Sequence, residues 1–137
     1  MEAKLRHIAV SVPDLEKAAA FYEQVFGLKR TKKVETAHGN GISLTDGVVN
    51  LTLLNFPTNE SAGDERGKDF FGIHHMGFIV DDLAGFEQRI LKEGGRFHKE
   101  VKTGESKVDF ERKFRDPNGV VFDLSHAWIG AEKIAAE

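Results

Sequence analysis

The strongest constraint on this chain is an internal repeat. His7-Ile8-Ala9-Val10-Ser11-Val12-Pro13-Asp14-Leu15 aligns without a gap with His75-Met76-Gly77-Phe78-Ile79-Val80-Asp81-Asp82-Leu83, an offset of 75 − 7 = 68 residues. Self-similarity on this scale means that one supersecondary unit is used twice. Each copy opens with an alternating stretch, the pattern of a half-buried strand. Each then reaches an Asp, a residue type that caps helix N-termini. A chain of 137 residues has room for both copies around one sizeable core.

The first copy reads as βαβββ. In the strand from Leu5 to Val12, the residues Ile8, Val10 and Val12 form an apolar face. His7, Ala9 and Ser11 form the other, small and polar. A helix starts after Asp14 and runs to about Phe26, with Leu15, Ala18, Ala19, Tyr22, Val25 and Phe26 on its apolar side. Tyr22 is therefore expected in the helix core and not in catalysis. Gly27 suits the left-handed position that ends the helix. Strands follow over 28–36, 41–45 and 48–56, with Asp46-Gly47 as a hairpin signal.

The second copy repeats this order. A strand over 73–80 leads to a helix capped by Asp82 and stopped by Gly94-Gly95. Strands are expected over 96–102, 107–115 and 120–126, and the tail over 127–137 can form a short helix around Trp128, Ile129 and Ile134. Between the copies, residues 57–72 are polar and glycine-spaced, ending in Phe70-Phe71. They read either as a solvated linker or as a loop over a site, anchored by the Phe pair. The expectation is an α+β fold, one domain over 1–137, with module one at about 5–56 and module two at about 73–126.

Charge and residue content narrow the function. A net charge of −3 gives no broad pull toward nucleic acid or a membrane surface. The absence of cysteine excludes disulfides, thiolate metal sites and a cysteine nucleophile. No apolar run suits a signal peptide or a membrane span, so a cytoplasmic location is expected.

The repeat also points to chemistry. His7 and His75 occupy the same place in the two copies, opposite the apolar strand faces. If the modules pack pseudo-symmetrically, the two rings meet across a shared surface. The last strand offers Val121, Asp123 and Ser125 on one face, and a carboxylate in so apolar a strand needs a partner. Two histidines and a carboxylate from separate strands can hold a divalent metal and leave positions open. Asp123 could instead cap a turn or pair with Arg112. His74, next to His75, is expected to face the opposite side as a structural or surface residue. His38 and His98 sit in turn or edge settings, and His126 has the wrong parity to join Asp123. Lys102, Lys107 and Arg112 could bind an anionic substrate or simply form a charged strand edge.

Four motifs carry a resemblance. They are Leu5-Arg6-His7-Ile8-Ala9-Val10, Ala20-Phe21-Tyr22 through Phe26-Gly27-Leu28, Ile73-His74-His75-Met76-Gly77-Phe78, and Phe114-Arg115-Asp116-Pro117-Asn118-Gly119 through Phe122-Asp123-Leu124. Together they resemble the vicinal oxygen chelate superfamily of glyoxalases, bleomycin resistance proteins and extradiol dioxygenases. The resemblance implies paired βαβββ modules in a cupped mixed sheet around a divalent metal, of which Fe, Ni, Zn, Co and Mn are the candidates. It also implies a small oxygenated substrate chelated by that metal, and a homodimer. It places ligands at His7, His75 and Asp123, where a glutamate is usual at the third. The fourth ligand, usually Glu or Gln, falls at Thr52, with Asn50 a substitute of the same parity. Thr52 is no general base, so a lyase or isomerase acting through an enolate needs a base from elsewhere. An Fe(II) dioxygenase, a fosfomycin-type epoxide-opening enzyme and a metal-free small-molecule binding protein are the alternatives.

Overall fold

The structure is a computed structural model that describes residues 1–63, 66–102 and 110–134. The first repeat forms β1 (Ala3–Ser11), α1 (Leu15–Phe26), β2 (Lys29–Thr36), β3 (Gly39–Thr45) and β4 (Asn50–Asn55). A short α2 (Asn59–Ala62) follows. The second repeat forms β5 (Gly72–Val80), α3 (Leu83–Lys92), β6 (Arg96–Lys102), β7 (Phe110–Arg115) and β8 (Val121–Ser125). The strands make one mixed sheet in the order β2-β3-β4-β1-β5-β8-β7-β6. Two βαβββ units thus meet along the antiparallel β1–β5 seam, and each opening strand runs parallel to its own closing strand. The fold is α+β, as the repeat predicts.

Local chemistry sets the helices. The Asp14 carboxylate accepts the backbone N–H of Lys17 at 3.1 Å and starts α1, and Gly27 ends it at φ 70°. The Asp82 carboxylate accepts the N–H of Gly85 at 3.0 Å and starts α3. Each helix covers one half of the sheet. Ala19, Ile42, Leu44 and Leu53 form the buried core under α1, with Tyr22 packed against it. Val80, Phe114 and Leu124 form the core beside α3. Both clusters use the helix-facing side of the sheet, which leaves the opposite side for His7, His75 and Asp123.

The seam carries two irregularities that re-aim side chains. Leu5 pairs with Phe78 but His7 pairs with Gly77, so Arg6 is an extra residue on β1. Ala9 pairs with His75 but Val10 pairs with Ile73, so His74 is an extra residue on β5. These β-bulges are related by the repeat, since 74 − 6 = 68. Each stands immediately before the histidine of its module. A bulge breaks strict alternation and commonly redirects a side chain beside a functional site.

Three expectations need correction. β4 begins at Asn50 and not near Val48, because the Asp46 carboxylate holds the N–H groups of Val48 and Val49 at 2.8 and 2.7 Å within the turn. The described tail, 127–134, is not helical. Its backbone is tied across the first module instead. The Ile129 carbonyl accepts from Asn50, the Gly130 carbonyl accepts from Thr45, and the Glu132 N–H donates to Val48. Carbonyls bound to another part of the sheet cannot serve a helix. Lastly, the 57–72 segment holds α2, and Phe71 is exposed, so that member of the Phe pair is no apolar anchor, whereas Phe70 is half-buried under Arg66. Residues 107–109, expected in β7, lie outside the described residues, as do Lys107 and the side chain of Lys102.

The tail brings Trp128 onto the His7 ring, stacked at 4.6 Å between centroids and 3° between planes. Gly77 makes room for it. A Cβ there would lie 2.6 Å from Trp128 Cη2 and 3.0 Å from His7 Cδ2. Gly77→Ala is therefore expected to destabilise the protein by about 1–3 kcal/mol through overpacking. It should also shift the emission of Trp128, the only tryptophan in the sequence. Unchanged emission and melting temperature would contradict that contact.

Candidate metal centre

The sheet brings His7 from β1, His75 from β5 and Asp123 from β8 together. One ligand atom from each lies within 4.8 Å of the others, and all three residues are buried. His7 Nε2 lies 3.3 Å from His75 Nε2, and His75 Nε2 lies 3.1 Å from Asp123 Oδ2.

The surrounding hydrogen bonds decide where the protons sit. The Asn50 amide nitrogen donates to the Ile129 carbonyl at 3.0 Å, which fixes its oxygen toward His7. That oxygen accepts His7 Nδ1–H at 2.7 Å, so His7 Nε2 carries a lone pair. On the other side, His74 Nε2–H donates to the Ala62 carbonyl. His74 Nδ1 is then an acceptor and takes His75 Nδ1–H at 2.8 Å, so His75 Nε2 also carries a lone pair. Two imidazole lone pairs and a carboxylate therefore point into one small space. Such a donor set is complementary to a cation and fits a divalent metal. Burial lowers His7 to about 3, so its ring is neutral near neutral pH and can act as a donor. Burial lowers His74 to about 4 in the same way.

His74 was expected on the opposite side, as a structural or surface residue. The bulge turns it to His75, with ring centroids 5.1 Å apart, and links that ring to α2 through Ala62. Asn50 and Thr52 also take definite parts. In the register, Ala9 pairs with Thr52 as Gly77 pairs with Asp123, so Thr52 is the repeat-equivalent of Asp123. Its hydroxyl donates to the Asn50 oxygen at 2.7 Å and so supports the group that orients His7. Asn50 and Thr52 thus sit behind the histidine.

Asp123 pairs with Lys113 and not with Arg112. The Lys113 ammonium lies 2.8 and 2.9 Å from the two Asp123 oxygens, and the two residues are paired across β7 and β8. Burial works to raise the Asp123 carboxyl, but the Lys113 ammonium outweighs it and holds the group well below the usual carboxylate range. Arg112 points to the helix side, where it binds Glu87 at 2.9 Å and Glu100 at 3.0 Å. His38 is exposed in its turn, and His126 contacts the Val80 carbonyl at 3.2 Å, away from Asp123.

Glu111 and Trp128 are further residues of the site. Glu111 lies on β7, two residues before Lys113. It accepts Trp128 Nε1–H at 2.9 Å and lies 3.8 Å from Lys113 Nζ. Burial, with the Asp123 charge added, raises its carboxyl above the usual range. The β7 alternation places Glu111 and Lys113 on one face, a signal that the partnership of Asp123 makes meaningful only once β7 and β8 are paired.

Comparison with known proteins agrees with the fold. The profile of the Glyoxalase/Bleomycin resistance protein/Dioxygenase superfamily matches residues 4–124. The chain is 33% identical over 135 residues to an ethylmalonyl-CoA/methylmalonyl-CoA epimerase of Cereibacter sphaeroides, covering 90% of this chain and 98% of that protein. It is 32% identical over 130 residues to the mitochondrial methylmalonyl-CoA epimerase of Homo sapiens, covering 90% of this chain and 74% of that protein. A solved Streptomyces coelicolor methylmalonyl-CoA epimerase superposes with a TM-score of 0.72 at 22% identity, over 90% of this chain and 98% of that one. The chain belongs to the Glyoxalase/Bleomycin resistance protein/Dioxygenase superfamily.

Proposed function

We propose that this protein is a metal-dependent enzyme of the isomerase or lyase type that moves a proton α to the carbonyl of a small acyl thioester. The convergence of His7 Nε2, His75 Nε2 and Asp123, with both imidazole protons committed elsewhere, carries the reading. His7, His75 and Asp123 would hold the ion. A divalent ion held there supplies a Lewis acid that polarises a chelated carbonyl and makes the α-proton acidic. Asn50 and His74 keep the two rings in the donating tautomer. Trp128 stacks on His7 and covers one face of its ring. The acyl thioester class rests on the epimerase relatives, whose names give methylmalonyl-CoA and ethylmalonyl-CoA.

The test is solvent exchange. Protein loaded with Co(II) is incubated with methylmalonyl-CoA in deuterium oxide, beside a His75→Ala variant. The expected result is deuterium at the α-carbon with the wild type and a loss of at least about 100-fold in the variant. No exchange with the loaded wild type would sink the reading. Three protein ligands also suit Fe(II) and oxygen, so oxygen uptake by the iron-loaded protein with a catechol, in place of exchange, would move the function to a dioxygenase.

A further inference from the structure

We propose that Glu111 is the catalytic base of this site, taking the α-proton of the substrate on its Oε2 atom. The proposal rests on the proton-transfer reading given above.

The two halves of the site are chemically unequal although the fold makes them equivalent. Ser43 pairs with Thr52 across β3 and β4, and Lys113 pairs with Asp123 across β7 and β8. The first pair is a neutral contact of two hydroxyls at 3.1 Å. The second is an ion pair at 2.8 Å. The first module therefore contributes hydroxyls and an amide, Ser43, Thr52 and Asn50, none of which is a base near neutral pH. Among the described residues, the carboxylates beside the three ligands belong to the second module.

Among the described residues, Asp123 and Glu111 are the carboxylates bonded to the residues of the site. Asp123 has both oxygens on Lys113 and one of them also against His75. It is committed as ligand and counter-ion. Glu111 is committed on one oxygen. Its Oε1 accepts the indole N–H of Trp128 at 2.9 Å, while its Oε2 has the Lys113 ammonium at 3.8 Å, beyond a hydrogen bond.

Glu111 also closes a ring of contacts. From His7 the ring passes to Trp128 by stacking at 4.6 Å, to Glu111 at 2.9 Å, and to Lys113 at 3.8 Å. It continues to Asp123 at 2.8 Å, His75 at 3.1 Å and back to His7 at 3.3 Å. Glu111 thus lies across this ring from His75, with Trp128 between it and His7 and Lys113 between it and Asp123. The side chain is 19% exposed, so the carboxylate is shielded but reachable. Its raised affinity for a proton suits the task.

The step balances without an added reactant. The α C–H bond breaks and an O–H bond forms on Glu111. The C–H electron pair moves into the carbonyl, giving an enolate. Return of a proton to carbon reverses these changes, and exchange of the carboxyl proton with solvent brings in deuterium.

The experiment compares Glu111→Gln and Glu111→Asp with the wild type. Glutamine keeps an oxygen for the Trp128 indole, so emission of that tryptophan reports whether each variant is folded. Co(II) affinity is measured by titration calorimetry, and α-deuteration of methylmalonyl-CoA by mass spectrometry. Glu111→Gln is expected to lose about 100-fold or more of the exchange rate. Glu111→Asp, with its carboxylate drawn back by one methylene, is expected to lose about 10-fold to 100-fold. Co(II) affinity should stay within about 3-fold in both, since Glu111 touches no ligand. Either folded variant exchanging at the wild-type rate would overturn the proposal. A wild type that binds Co(II) but exchanges nothing would instead overturn the underlying reading, and the proposal with it.

Discussion

Asp123→Ala is expected to lower the unfolding free energy of the metal-free protein by about 3 kcal/mol and to weaken divalent-metal binding by more than about 100-fold. Asp123 is fully buried, and the Lys113 side chain is only 12% exposed. Removing one member of a buried ion pair leaves the other as an uncompensated charge, which costs about 3–5 kcal/mol. The lower end applies because Lys113 retains some access to water and to Glu111 at 3.8 Å. Metal binding suffers separately, since Asp123 supplies the one carboxylate of the three-residue cluster. Urea unfolding and calorimetric titration read the two effects apart. A variant with wild-type stability would mean that the Lys113–Asp123 pair contributes nothing net. A variant with wild-type metal affinity would remove Asp123 from the ligand set.

Acid should destabilise the chelator-treated protein well before its carboxylates titrate. His7 has a folded value of about 3 against an ordinary 6.5, so the unfolded chain takes up a proton that the folded chain refuses. The contribution of neutral His7 is therefore full above about pH 6.5 and is lost as the pH falls toward 3. The slope is about 1.4 kcal/mol per pH unit in the middle of that window. His74, lowered to about 4, acts in the same direction over the upper part of the window. Asp123 adds to the loss only below about pH 4, because its folded value lies below its unfolded one. Urea midpoints taken at about pH 7, 6 and 5 measure the slope. A His7→Gln variant should show a shallower dependence than the wild type. Equal slopes in the two proteins, or a flat wild-type profile, would contradict a neutral buried His7.

The sequence already showed the parts of this molecule that repeat or alternate. The paired histidines exposed the two modules, the Asp14 and Gly27 signals bounded α1, and parity in the last strand picked out Asp123. The misses have one physical cause, that each depends on a contact between distant segments. His74 was misplaced because a bulge is a property of the β1–β5 register and leaves no mark in the alternation of β5 alone. Lys113 became a partner of Asp123 only through the β7–β8 pairing. Trp128 and Ile129 have apolar spacing that suits a helix, but hydrogen bonds to Asn50 and Thr45 hold the tail extended over the first module. Asn50 shares the parity of Thr52, which suits a substitute ligand. Its bond to His7 Nδ1 gives it an orienting part instead.

The metal content of protein purified without chelator or affinity-tag metal, measured beside His75→Ala, tests the His7–His75–Asp123 centre most directly. Wild-type protein should carry about one equivalent of a divalent metal, and the variant should carry almost none. Elemental analysis of the purified protein gives the first number, and calorimetric titration with Fe(II), Co(II), Ni(II), Zn(II) and Mn(II) checks it. A wild type that carries no metal and takes up none on titration would contradict the ligand assignment and leave a metal-free binding protein in its place.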